Sequence, residues 1–133
     1  MRVLGIDYGY SRVGIAITDG LGITAQGLMT ISHKGNDKIL LAKLDEILSE
    51  YEVSTIVVGM PINMDGTQGF QAEDCINFSE KIVGFDIIYE DERLTSEEAE
   101  ARLKSRKIDF RKNKGLVDME SACVILEQYL GRG

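Results

Sequence analysis

The hydrophobic pattern of this chain changes period partway along, and that change constrains the fold more than any other feature. Up to residue 32 the apolar residues come in short runs: Val3 to Tyr8, Val13 to Thr18 and a looser Ile23 to Ile31. Gly9-Tyr10-Ser11-Arg12 and Asp19-Gly20-Leu21-Gly22 separate them as turns, which reads as three antiparallel strands in a meander. From Leu40 the spacing becomes 3 and 4 (Leu40, Leu41, Leu44, Ile47, Leu48, Tyr51), an amphipathic helix opened by Asn36 or Asp37. Thr55 to Met60, TIVVGM, is β-branched and apolar enough for a central strand covered on both faces. Pro61 to Gly69 is a polar loop, followed by a helix over about Gln71 to Val83 and a strand from Phe85 to Tyr89. Thr95, in a capping-box pattern with Glu98, opens a third helix. A last one runs from about Leu116 to Leu130 and stops before Gly131.

Three antiparallel strands followed by two βα crossovers predict an α/β fold, a mixed five-stranded sheet with helices on both faces. That order is the outline of a ribonuclease H-like fold. At 133 residues the chain fits one domain, 1–133. No apolar run approaches the roughly 18 residues of a membrane helix, and MRVLGID has no signal-peptide organisation. Cys75 and Cys123 are isolated, so neither a disulfide framework nor a zinc site is expected, and a reducing cytoplasmic setting fits. His33, the one histidine, falls in a polar turn and is expected to have no chemical role, like the two cysteines.

Charge is unevenly placed. The net charge of −7 argues against a nonspecific nucleic-acid coat, because polyphosphate would be repelled. Yet Arg102, Lys104, Arg106, Lys107, Arg111, Lys112 and Lys114 are opposed between residues 102 and 114 by Asp109 alone. Such a stretch is either a solvated helix end or a grip on a polyanion.

Three acids stand where acids are costly or conspicuous. Asp7 interrupts the apolar run Val3-Leu4-Gly5-Ile6, and a charge in a central strand needs a partner or a metal. Asp118 shares one stripe of the last helix with Ala122, Ile125 and Tyr129, within about 60° at 100° per residue. The cluster Glu90-Asp91-Glu92-Arg93 follows the last strand, at the sheet end where ligand sites form in open α/β folds. If the sheet pairs the first strand with its fourth and fifth neighbours, Asp7 and this cluster converge, and the final helix lays Asp118 against the same place. Convergent carboxylates without histidine or cysteine suit Mg²⁺ or Mn²⁺ rather than zinc. A hairpin cap at Asp7, a helix-dipole partner at Asp118 and a solvated cluster at 90–93 are the plainer readings.

The segments GIDYGYSRVGIAITD (5–19), IVVGMPINMDGT (56–67), YEDERLTSEEA (89–99) and NKGLVDMESACVILEQYL (113–130) together resemble the YqgF/RuvX family. That family is described as pre-16S rRNA nucleases and as Holliday junction resolvases. The resemblance implies a ribonuclease H-like fold and a metal-dependent nuclease maturing the 5′ end of 16S ribosomal RNA in the bacterial cytoplasm. Asp7 matches the family's first-strand acid and Asp118 its final-helix acid. RuvC-type resolvases carry a glutamate at the end of the fourth strand, where this chain reads Val58-Gly59-Met60-Pro61. The resemblance implies that this role moves to the DERLT segment, on Glu92, with Asp91 as substitute. Asp7, Glu92 and Asp118 are thus the expected catalytic and metal-binding residues, with Mg²⁺ or Mn²⁺ as cofactor. Arg93 and Thr95 would support that turn or touch phosphate, Asn63 and Asp65 could line the site, and Lys104, Arg106, Lys107 and Lys114 are expected to contact the substrate. The expected partner is nucleic acid (pre-16S rRNA or the pre-ribosome, with branched DNA as alternative), the chain a monomer or homodimer with no membrane attachment. Two other classes stay open: a non-catalytic nucleic-acid binder of the same fold, and a nucleotide-binding module, since Asp7-x-Gly9 followed by Gly14 resembles an actin-like phosphate loop.

Overall fold

A computed structural model of the protein describes residues 2–60, 70–92 and 95–131. Its elements are β1 (Arg2–Tyr8), β2 (Arg12–Thr18), β3 (Ala25–Ser32), α1 (Asp37–Glu50), β4 (Val53–Met60), α2 (Phe70–Glu80), β5 (Asp86–Asp91), α3 (Thr95–Ser105) and α4 (Lys114–Gly131). The five strands form one sheet in the order β3-β2-β1-β4-β5. The first three pair antiparallel, and β4 and β5 run parallel to β1. This is the mixed sheet that the period change predicts.

Alternation along the strands splits the core into two layers. Leu4, Ile6, Val13, Ile15, Ile17, Ile56 and Val58 point to the face covered by α1 and α2, through Leu40, Leu44, Ile47, Cys75 and Phe78. Ala16 and Val57 point to the other face, where Ala122, Cys123, Ile125 and Leu126 of α4 cover them. β4 reads as a continuous apolar run because both its faces are covered. Helix α3 lies on the α4 side, joined to α4 by ion pairs from Arg102 and Arg106.

Several boundaries differ from the sequence reading for local reasons. β3 begins at Ala25 rather than Ile23, because the Asp19 carboxylate accepts from the Ile23 amide at 2.8 Å and from the Thr24 hydroxyl at 3.1 Å, holding both in the turn. Helix α2 ends at Glu80, short of Val83. Its end tightens through bonds from the Lys81 amide to the Phe78 carbonyl and from Ile82 to Ser79, and Gly84 reverses the chain at φ +94°. β5 extends to Asp91, so Glu90 and Asp91 belong to the strand instead of a loop after it. Asn36 caps α1 by accepting from the Lys38 amide. Thr95 does not form the anticipated box with Glu98: its hydroxyl donates backwards to the Glu92 carbonyl at 2.9 Å.

His33 also differs. Instead of lying in an exposed turn it is buried, and its Nε2–H donates to the Gly9 carbonyl at 2.7 Å. With the His33 and Gly35 amides bonded to the Ser11 and Tyr10 carbonyls, the segment after β3 clamps the β1–β2 turn that follows Asp7. His33 is a structural residue beneath the site.

Candidate active site

Asp7 lies on the central strand, paired with Gly14 of β2 on one side and Gly59 of β4 on the other. Laterally paired residues project to the same face, so both neighbours of Asp7 on the α4 face lack side chains. The missing side chains are filled by other parts of the molecule. A Cβ on Gly14 would collide with the Asp118 backbone carbonyl, so the start of α4 rests directly on β2 there. A Cβ on Gly59 would run into the Ile125 side chain and lie 2.7 Å from Glu92 Oε2. The two glycines thus make a notch around Asp7, into which Asp118 comes from the β2 side and Glu92 from the β4 side. The absence of an acid at the end of β4 now has a physical reason: the bare Gly59 backbone is the room that the Glu92 carboxylate occupies.

Alternation also separates the neighbouring acids. Ile88 packs with the α4 layer, so Glu90 and Glu92 share its side and Asp91 points the other way. The turn holding Glu92 is fixed by three bonds: its amide to the Met60 carbonyl, and the Thr95 amide and hydroxyl to its own carbonyl.

The Asp7 and Glu92 carboxyls lie side by side, so that charge on one disfavours charge on the other and a proton between them would relieve it. Burial raises the Asp7 carboxyl above the usual range, and the charge of Asp118 adds to that rise. Burial, then the charge of Asp7 and their hydrogen bond, push Glu92 up to about 11. Glu92 Oε2 is buried with no hydrogen-bond partner among the described residues. Asp118 is differently held: its Oδ2 accepts from Arg12 Nε at 2.6 Å. The structure therefore brings two of the expected acids into direct contact and sets the third on the same face, turned toward an arginine. Among the described residues no three His, Cys, Asp or Glu side chains are gathered closely enough to hold a metal ion together. The donor set nevertheless fits a hard divalent cation, being oxygen only, with two carboxyls side by side where a cation would serve and one buried oxygen unpartnered. Cys75, whose thiol lies 3.6 Å from the Gly59 carbonyl, is pushed up to about 12 by burial and by Glu92, which disfavours the thiolate.

Of the remaining expected contacts, Asn63, Asp65 and Arg93 lie outside the described residues. Arg106 pairs with Glu120 at 2.8 Å, and Arg102 with Glu98 at 3.1 Å and Glu127 at 2.7 Å. Part of the basic segment is thereby spent joining α3 to α4. Lys104, Lys107 and Lys114 are exposed, and Lys114 lines a cleft of about 430 Å³ with Arg12, Phe110 and Asp118. Sequence reasoning missed Arg12, which it read as part of the turn and which instead opens β2 beside Asp118.

Residues 1–132 match the family model described as RuvX, Holliday junction resolvase. A relative from Ruminiclostridium cellulolyticum, named "Putative pre-16S rRNA nuclease", is 48% identical over 99% of this chain and 95% of its own. One from Acetivibrio thermocellus with the same name is 45% identical, covering 98% and 95%. Among solved structures, RuvC of T. thermophilus in complex with a Holliday junction aligns with a TM-score of 0.60 at 16% identity, over 99% of this chain and 95% of that one. The fowlpox virus Holliday junction resolvase aligns over all of both chains with a TM-score of 0.61 at 15% identity. These neighbours share the ribonuclease H-like fold.

Proposed function

The chain belongs to the RuvX family, and from that premise we propose that it is a divalent-metal-dependent nuclease that trims the 5′ end of pre-16S ribosomal RNA in the bacterial cytoplasm. The observation that carries the reading is the buried, adjacent carboxyl pair Asp7–Glu92 with its unpartnered oxygen, at the centre of a notch made by two glycines. Burying such a pair without function is costly.

Asp7, Glu92 and Asp118 are the residues that would hold Mg²⁺ or Mn²⁺. When bound, the ion supplies a Lewis acid that lowers the pKa of water and steadies charge on the phosphoryl oxygens. The chain's own residues do the rest. To hold the ion, Asp7 and Glu92 would have to be ionised, so any proton they carry would pass to solvent. Thr95 keeps Glu92 aimed across Gly59 by anchoring its carbonyl. Arg12 neutralises Asp118 and, at the rim of the cleft, faces the route by which phosphate must approach. Lys104, Lys107 and Lys114 attract the polyanion that the acidic remainder repels. The net reaction adds water across one P–O bond, leaving a phosphate on one fragment and a hydroxyl on the other.

Branched DNA is the second reading, favoured by the family's description as a resolvase. The two separate by stoichiometry: a single cut needs one copy, whereas resolving a junction needs two opposed sites. The test compares wild type, Asp7→Asn and Asp118→Asn on a 16S precursor with its 5′ leader and on a four-way junction, with Mn²⁺ titrated. Both substitutions should lower precursor cleavage more than roughly 100-fold, beyond what losing a residue behind a ligand costs. Precursor cleavage undiminished in either variant would overturn the assignment, and cleavage of the junction alone would move the substrate to DNA.

A further inference from the structure

Phe110 follows α3 by five residues, in the segment that leads into α4, and it borders two clefts. One, of about 430 Å³, runs to Arg12, Lys114 and the Asp118 carboxylate. The other, of about 510 Å³, is lined by Lys104, Lys107, Ile108 and Asp109. Arg111, whose guanidinium is paired with the Asp109 carboxylate at 3.1 Å, also lines both, so the two hollows adjoin at Phe110; Glu100 lines the first and Asp109 the second. One half of this track is floored by the aliphatic Val117 and the other by the exposed Ile108. Phe110 is half-buried there, and its remaining open face offers a flat base a surface to stack on.

A duplex presents its bases edge-on inside two phosphate rails and cannot lay one on a ring sunk between two hollows. An unpaired strand can, because every free base has a π-face and its phosphates can follow the cations on either side. Lys107 strengthens the argument. Its amide bonds to the Lys104 carbonyl and the Ile108 amide to Leu103, a helix end whose left-handed residue is usually glycine. Here that place, at φ +60°, keeps a lysine at a conformational cost and so retains a cation on the track.

Resting on the nuclease reading and deepening it, we propose that this track is a binding site for an unpaired RNA strand. One base stacks on Phe110, and the strand's backbone passes Lys107 and Lys104 on one side and Lys114 and Arg12 on the other, delivering the next phosphate to Asp118. The enzyme would accordingly cut in, or beside, a single-stranded stretch.

The chain contains no tryptophan, so Phe110→Trp introduces a lone indole reporter at the midpoint. In chelator, where nothing is cleaved, a short unpaired RNA should quench that indole, and a blunt duplex of the same sequence should not. Phe110→Ala should weaken binding of the unpaired RNA about tenfold, the scale of a single base–aromatic stack, and leave duplex binding unchanged. Phe110→Leu, which keeps the bulk without the flat face, should behave like Phe110→Ala. Equal quenching by duplex, or none by either RNA, overturns the proposal, as does unweakened binding by Phe110→Ala. Should Phe110→Ala not fold, the quenching result decides by itself. Failure here leaves the Mn²⁺-dependent cleavage by wild type and its loss in Asp7→Asn untouched. An inert but quenchable protein would instead sink the nuclease reading alone.

Discussion

At the scale of single residues, the account turns on protons held in unusual places. In the folded, metal-free chain Asp7 and Glu92 keep protons at pH values where an unfolded chain has released them. Folding then takes up protons, so stability is greatest near and below the ordinary carboxylate range and falls as pH rises toward about 11 for Glu92. The slope approaches about 1.4 kcal/mol per pH unit for each proton involved. In chelator the melting temperature should be higher at about pH 5.5 than at about pH 8. Asp7→Asn should flatten that difference and raise the melting temperature at the higher pH, because an amide needs no proton. Lys107 supplies a second test. Lys107→Gly relieves a left-handed lysine and should stabilise the chain by roughly 0.5–1 kcal/mol in denaturant unfolding, while weakening RNA binding. A destabilised Lys107→Gly variant would contradict the helix-end geometry.

At the scale of elements, the notch depends on two glycines whose substitutions fail differently. At Gly14 an added Cβ meets the backbone of α4, which cannot step aside without lifting the helix start from β2. Gly14→Ala should therefore cost about 1–3 kcal/mol of stability, read by thermal or urea unfolding. At Gly59 the obstacles are the ends of two side chains, Ile125 and Glu92, which can move. Gly59→Ala should stay folded but displace Glu92, losing the thermal stabilisation by Mn²⁺. These consequences could not be read from the sequence, although much of the scaffold could. The first three strands, the Asn36 cap and the buried β4 followed from short-range period and turn chemistry, which are local. Asp7 stood out because a charge in an apolar run is costly, and Asp118 because it shares a stripe with Ala122 and Ile125. Glu92 did not stand out. Three acids in a row carry no periodicity, and only strand alternation with Gly59 beside it selects among them.

At the scale of the whole molecule, charge organises function and packing together. The basic stretch around 102–114 reads in sequence as one patch. In the folded chain Arg102 and Arg106 turn to Glu120 and Glu127 of α4, leaving the lysines exposed at the cleft. Those pairings, like Arg12 with Asp118 across 106 residues, join distant parts of the chain and leave no trace in local spacing. Reversing Lys104 and Lys107 to Glu should weaken RNA binding and flatten its salt dependence, by close to one unit of log–log slope for each phosphate the lysines no longer neutralise. Arg106→Glu should in addition loosen α3 from α4, because it removes the ion pair with the half-buried Glu120 and sets two carboxylates against each other. Salt titration of binding, set beside urea unfolding, separates the two roles.

The central claim is that Asp7 and Glu92 hold a proton where the catalytic cation belongs. Proton release on adding Mn²⁺ to the RNA-free, unbuffered protein near neutral pH measures it directly. The account predicts that wild type binds Mn²⁺ and acidifies the solution as the shared proton leaves, and that Asp7→Asn binds weakly and releases none. Tight Mn²⁺ binding with no proton released, or equal binding by wild type and Asp7→Asn, would contradict it.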